Sequence, residues 1–223
     1  LPDWCLGAKS LTDDVYLGIS KDKKYGLIDS KGETICEPVI ESILEVDGDI
    51  VVIERFCKKD SFIFSYGTFK YGLYDIKRKV LIPADYDTPP ELKDGYYLIS
   101  KKDLFGILDL DGQQILKPEW ESITPVEDCF LVSNNEHWGL VSKSGNVIIK
   151  PEYNEIVVLC PGVYKARSRY WSAGARWKEI WEIYDENGKL TAGPFDEVSL
   201  DGDIFIVRYD GRNGRLVRRW NIC

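Results

Sequence analysis

The stretch Phe105-Gly106-Ile107-Leu108-Asp109-Leu110-Asp111-Gly112, continuing through Gln113 to Lys117-Pro118-Glu119-Trp120, decides how the chain is read. Upstream, Tyr96 to Ser100 alternates apolar and polar side chains, a turn falls near Lys101-Lys102-Asp103, and Leu104 to Leu108 makes a returning strand. Asp109 and Gly112 occupy the first and fourth places of a tight turn, where Asp bonds the backbone ahead of it and Gly takes a left-handed conformation. Gln113 to Leu116 is a third strand, closed by Pro118, which cannot donate to a ladder and belongs at a strand end or edge. Glu121 to Val126 is expected to be a fourth, short strand of the same unit. A Gly beside a ring in a strand marks a place where another backbone or ring comes close.

Working outward, the same phrase recurs. It reads Tyr25-Gly26-Leu27-Ile28-Asp29-Ser30-Lys31-Gly32, Tyr71-Gly72-Leu73-Tyr74-Asp75, and Trp138-Gly139-Leu140-Val141-Ser142-Lys143-Ser144-Gly145. A degenerate copy, Trp181-Glu182-Ile183-Tyr184-Asp185-Glu186-Asn187-Gly188, has Glu182 in the Gly position. The later Pro-acid-aromatic element returns as Pro83-Ala84-Asp85-Tyr86, Lys150-Pro151-Glu152-Tyr153, Pro194-Phe195 and, at the N-terminus, Leu1-Pro2-Asp3-Trp4. Asn213-Gly214 falls at the aromatic-Gly phase once more.

This pattern resembles the WG-repeat family, also described through its KWG motif, in which aromatic-Gly-Leu-hydrophobic-Asp leads to a Gly turn and then Pro-x-aromatic. The resemblance covers nearly the whole chain. Its departures are Glu182, Arg78 in a turn-Gly position and Ile40 in a late aromatic position. The resemblance implies a bacterial repeat protein, exported (periplasmic or extracellular) or cytoplasmic, and supplies no catalytic residue.

Repeats this short cannot bury a face alone and must stack or close on themselves. Leu1 sits at the phase of Lys150 and Cys223 at that of Ile148, so five full repeats are completed by a sixth shared between the two ends. The expected fold is therefore all-β, a single domain over 1–223, with a six-bladed β-propeller closed by both termini as the leading architecture and an open β-solenoid as the alternative. Ring closure places Pro2 to Gly7 in the sheet of Asp203 to Trp220.

Composition narrows the function. Among 223 residues, 44% are hydrophobic and 13% aromatic, which excludes a disordered chain. No apolar run approaches the roughly 20 residues of a membrane helix. A net charge of -8 argues against nucleic acid as a partner. The charge is uneven: residues 165–223 hold 11 Lys plus Arg against 9 Asp plus Glu, so the rest of the chain carries the acidity. Cys5, Cys36, Cys57, Cys129, Cys160 and Cys223 have no metal or redox spacing and read as isolated thiols ahead of a disulfide framework. His137 is the only histidine, which removes most triads and zinc sites. The Asp-rich turns lack the ligand run and terminal Glu of a calcium loop. No catalytic residue, metal or cofactor is assigned.

The second and fifth units are longer than the others by about ten residues, around Phe56 to Phe69 and over Lys165 to Ile180. In a ring both extended hairpins would rise from one face. The later one sets Lys165, Arg167 and Arg169 on one side of a strand and brackets its tip with Trp171 and Trp177. Arg and Trp are enriched at interface hot spots. Arg167, Arg169, Tyr170, Trp171, Arg176 and Trp177 are thus the candidate contacts for a protein or peptide, against the plainer reading of an exposed edge guarded by charge. The late rings Trp4, Tyr86, Trp120, Tyr153 and Phe195 allow a carbohydrate-binding module as an alternative, although a repeated core contact is the simpler account. A carbohydrate-active enzyme is a third reading, and it needs a pair of facing carboxylates.

Overall fold

The computed structural model describes residues 1–60, 65–172 and 176–217, and among them every regular element is a strand. The first sheet holds β1 (Cys5–Ser10), β2 (Val15–Ser20), β3 (Tyr25–Asp29) and β4 (Thr34–Ile40). The second holds β5 (Ser42–Asp47), β6 (Ile50–Asp60), β7 (Ser65–Asp75) and β8 (Val80–Tyr86), and the third β9 (Glu91–Lys93), β10 (Tyr96–Lys101), β11 (Leu104–Leu108) and β12 (Gln114–Trp120). The fourth comprises β13 (Ser122–Val126), β14 (Cys129–Asn134), β15 (His137–Ser142) and β16 (Val147–Tyr153). The fifth comprises β17 (Glu155–Cys160), β18 (Val163–Ser172), β19 (Arg176–Asp185) and β20 (Leu190–Phe195). The sixth has three described strands, β21 (Glu197–Asp201), β22 (Ile204–Tyr209) and β23 (Arg212–Val217).

Strands follow one another in chain order within every sheet, so each is an antiparallel meander, the blade type of a propeller-like repeat fold. The described residues form six sheets, one for each occurrence of the aromatic-Gly phase, including the degenerate Trp181-Glu182 and Asn213-Gly214. Contacts gather the chain into two compact units, Leu1–Glu119 with the first three sheets and Trp120–Cys223 with the last three.

The sheet boundaries fall one strand earlier than expected. Ser122–Val126 pairs forward with β14, so the strand after Pro-x-aromatic opens the next sheet instead of closing the previous one. The N-terminal segment follows the same rule. Cys5–Ser10 pairs with β2 and belongs to the first sheet, not to the sheet of 204–217. Trp4 joins it there, its indole N–H donating to Thr34 Oγ1 at 3.1 Å and its ring lying over Gly18 and Gly26. Trp220 and Cys223, the other partners in the expected closure, lie outside the described residues.

The repeat's Gly has a direct steric reason. In the fourth sheet Leu140 pairs with Ile149 but Trp138 pairs with Tyr153, so a step of two residues on β15 faces a step of four on β16. The surplus is a bulge around Lys150-Pro151, where a ladder donor is not needed. The bulge drops its backbone onto the neighbouring strand. A Cβ on Gly139 would stand 2.8 Å from both Ile149 O and Pro151 N, and Gly72 and Gly106 meet the same obstruction from 82–84 and 116–118.

The turns also follow the sequence. Asp109 accepts from the N–H groups of Asp111 (3.0 Å) and Gln113 (2.7 Å), and Gly112 takes φ +78. Asp29 and Asp185 repeat this turn arrangement. Where Arg78 replaces the turn Gly, the positive φ moves to Lys79, and Asp75 becomes wholly buried. It accepts from Arg78 N (2.9 Å), the Arg78 guanidinium (2.8 Å) and Tyr97 OH (2.7 Å), tying the second sheet to the third.

Sheets within each unit bury apolar side chains against one another. One cluster joins Leu73 and Ile82 to Tyr97, Ile99 and Leu108; another joins Cys129, Leu140 and Ile149 to Ile156, Tyr164, Ala166 and Tyr184. A third sets Val163 and Ile183 against Val198, Phe205 and Val207. Cys5, Cys36, Cys57, Cys129 and Cys160 are free thiols, and Cys223 lies outside the described residues. Burial, with the Glu37 charge adding to it, pushes the Cys36 thiol up to about 11, so it is inert as a nucleophile at neutral pH.

Candidate functional site

The two longer units become two long hairpins, each between the second and third strands of its sheet. In the second sheet β6 and β7 stay paired from Ile50 with Asp75 out to Asp60 with Ser65. Phe56 and Phe69 face each other across it, ring centroids 5.2 Å apart, and both are about half exposed. Gly67 leaves room for the Phe56 ring. Arg55 and Lys70 are held by Asp85 of β8 and by Asp87 just beyond it.

In the fifth sheet β18 and β19 pair from Val163 with Asp185 to Ser172 with Arg176. Lys165, Arg167, Arg169 and Trp171 stand opposite Ile183, Trp181, Glu179 and Trp177, and directly opposed residues share a face. Lys165, Arg167, Arg169, Trp171 and Trp177 therefore do share one side, while Tyr170, opposite Lys178, is on the other. They divide into two roles.

Arg167 is engaged by the sheet itself. Its guanidinium reaches Glu155 and Glu179, each at 2.8 Å, and lies 5.7 Å above the Trp181 ring. It bridges β17, β18 and β19, and its fork is already used. Farther out, Arg169 stacks over Trp177 at 4.8 Å, and Trp177 meets Trp171 edge-on with centroids 5.2 Å apart. Trp171 is 58% exposed and Trp177 55%, so this pair lies largely in solvent, and Tyr170 on the other face is 43% exposed. The Arg176 side chain lies outside the described residues, while its backbone pairs with Ser172.

Beside the hairpin is a cleft of about 660 Å³, lined among others by Tyr170, Trp177, Lys178, Phe195, Asp196 and Tyr209. Its far wall is the turn between β22 and β23, fastened by the Gly211 N–H donating to Asp196 at 3.4 Å. Tyr209, 61% exposed, was not singled out by sequence reasoning; it stands at the end of an ordinary repeat strand, and only folding brings it to the hairpin.

The base of the hairpin carries a second departure. Lys165 occupies the strand position filled by Leu17, Val52, Leu98, Leu131 and Ile206 in the other sheets. Its ammonium donates to Val198 O at 3.0 Å and sits 4.3 Å over Trp181. Burial holds it below the usual lysine range, and the Glu155 charge acts the other way.

Glu182 is accommodated by a change in the opposing strand. The step facing Trp181 to Ile183 is three residues on β20, Ala192 to Phe195, where the fourth sheet has four. The close approach passes to Gly193, whose Cβ would meet Trp181 O at 3.0 Å. Glu182 accepts from Tyr184 OH at 2.9 Å, and Tyr153 OH reaches Tyr184 OH.

The late rings are not a displayed series. Trp120 is buried and Trp4, Tyr86, Tyr153 and Phe195 are half-buried, as packing contacts of the repeat. His137 is exposed and its ring contacts the Asn135 carbonyl at 2.7 Å. Among the described residues no helix is long and apolar enough to cross a membrane, and no three His, Cys, Asp or Glu gather as metal ligands would.

The chain is thus an all-β repeat protein of small antiparallel meanders. Residues 138–158, which span β15, β16 and the start of β17, match the family model described as WG containing repeat. No curated protein matches the chain. Among solved structures it is similar to Hsv2 of Kluyvelomyces marxianus, with 10% identity over 88% of this chain and 70% of that chain and a TM-score of 0.31.

Proposed function

We propose that this chain is a non-enzymatic interaction module, and that it recognises a protein or peptide through the outer half of the β18–β19 hairpin and the cleft beside it. The observation that carries this reading is the exposed pair Trp171 and Trp177, backed by Arg169, with Trp177 and Tyr170 bordering a cleft of about 660 Å³. Large rings held across a hairpin offer contact area with little rotamer entropy to lose, and exposed clusters of this kind are where binding energy concentrates. A purely structural repeat has no need of them, since the hairpins of the first, third and fourth sheets end where their core contacts end.

The test is to pan a displayed peptide library on the purified chain and measure the selected peptides against wild type and the double variant Trp171→Ala/Trp177→Ala. The double variant is expected to lose binding while unfolding at nearly the wild-type temperature, because both rings are already more than half exposed. Undiminished binding by that variant would overturn the reading.

A further inference from the structure

At the base of the same hairpin, Lys165 presents a charge where the repeat elsewhere places an aliphatic side chain. In four of the other five sheets that aliphatic residue also faces an aliphatic partner across the strands: Leu17 with Leu27, Val52 with Leu73, Leu98 with Ile107, Leu131 with Leu140. Packing alone is therefore met by Leu or Val. A lysine there gives up part of its hydration, which costs free energy unless a partner compensates.

The compensation within the chain is incomplete. One of the ammonium's three donors goes to the Val198 carbonyl, and the Trp181 face supplies a cation–π contact. Neither is a counter-charge. Among the described residues Lys165 forms no ion pair, and Glu155, whose charge reaches it, is held by Arg167 at 2.8 Å. Lys165 lines a cleft of about 320 Å³, separate from the hairpin tip, together with Trp181, Glu197, Ser199, Ile206, Arg208 and Asn213. Arg208 is engaged by Glu197, so the unbalanced charge at the cleft is that of Lys165.

We infer that this cleft is a carboxylate-binding site, in which Lys165 takes the carboxylate of a peptide ligand while Trp181 and Ile206 take the apolar stem behind it. Ser199 and Asn213 add neutral hydrogen-bonding groups at the rim. The carboxylate is either an acidic side chain or a chain terminus. The site stands apart from the Trp171/Trp177 tip, so its failure would leave the proposed function in place.

Three short probes separate the sources: N-acetyl-glycyl-glutamyl-glycinamide, N-acetyl-triglycine with a free C-terminus, and N-acetyl-glycyl-glutaminyl-glycinamide. The chain is acetylated with acetic anhydride in the presence of each, and modification is read at Lys165 and Lys178 by mass spectrometry. One or both carboxylate probes should slow acetylation of Lys165 and leave Lys178 unchanged, with the effective probe identifying the source. The glutamine probe should do nothing. Lys165→Leu, which installs the residue found at this position in three of the other sheets, should weaken calorimetric binding of the effective probe about tenfold or more without lowering the unfolding temperature. Equal protection by the glutamine probe, protection by none, or unchanged binding by Lys165→Leu would each overturn the assignment.

Discussion

The fourth and fifth sheets are built on one plan, which the fourth keeps and the fifth alters. Both are four-stranded meanders with an aromatic on the third strand paired to an aromatic at the end of the fourth, Trp138 with Tyr153 and Trp181 with Phe195. In the fourth sheet Gly139 lets the Lys150-Pro151 bulge settle against the strand. The fifth has Glu182 instead, a bulge one residue shorter, and Gly193 at the close contact. The small residue has moved to the other strand. What the repeat requires is thus room for one backbone beside another, and a glycine on either side can supply it. The fifth sheet is also where the hairpin lengthens and Lys165 replaces an aliphatic residue, so its departures come as a set.

The largest effect expected from this comparison is at Gly139. Gly139→Ala puts a Cβ within 2.8 Å of backbone atoms that no side-chain rotation can clear. It should cost about 3 kcal/mol or more, measured by urea unfolding, because the bulge must shift or the strand separate. An unchanged midpoint would mean that the bulge is soft and that the glycine is there for another reason.

Next comes the buried turn acid. Asp75→Asn should cost about 2 kcal/mol at neutral pH, since it weakens charge-assisted bonds to Arg78 and Tyr97 inside the first unit. The equivalent change at the exposed turn residue Asp109 should cost about 1 kcal/mol or less. Burial raises the Asp75 carboxyl, but the bonds from Tyr97 and Arg78 outweigh it and hold it below the usual aspartate range. A depressed native pKa means stability that is complete above the unfolded-state value near 4 and is lost as pH falls through the native one. The gap between wild type and Asp75→Asn should therefore narrow in acid, and a gap that widens would contradict this sign.

A smaller effect is expected at Glu182. Glu182→Gly restores the repeat's own residue, yet β20 has already been shortened to suit a side chain there, so the substitution should stabilise nothing. It should cost about 1 kcal/mol through loss of the bond from Tyr184 and the added freedom of the unfolded chain. A gain in stability would show that Glu182 is retained against the fold's interest. The smallest effect on stability, about 0.5 kcal/mol or less, belongs to Trp171→Ala, whose ring is more than half exposed. Its consequence should be read in peptide binding.

Much of this was legible in the residues. Alternation in stretches such as Tyr96 to Ser100 gave strands, Asp109 and Gly112 gave a turn with its hydrogen bonds, and the recurring ring-Gly pairs gave six units. The two long hairpins showed as excess spacing, and the shared face of Arg167, Arg169 and Trp171 follows from the two-residue period of a strand. These are local properties, carried by side-chain direction and backbone preference within a few residues.

Pairing is not local, and there the sequence stopped. Nothing in Ser122–Val126 or Cys5–Ser10 says whether the strand closes the sheet before it or opens the one after it, because its backbone donors and acceptors serve either neighbour equally. Tertiary packing chose the later sheet in both cases. The same holds for the site. Arg167 and Arg169 are alike in the sequence, but Glu155 and Glu179 arrive from other strands to engage the first, while the second stays in solvent over Trp177. Tyr209 joins the hairpin's cleft, and Lys165 gives up part of its hydration against Val198 of β21, only once the fifth and sixth sheets lie together. Charge, exposure and reach at these positions are set by what folding places beside them, and that is the part no reading of one strand could supply.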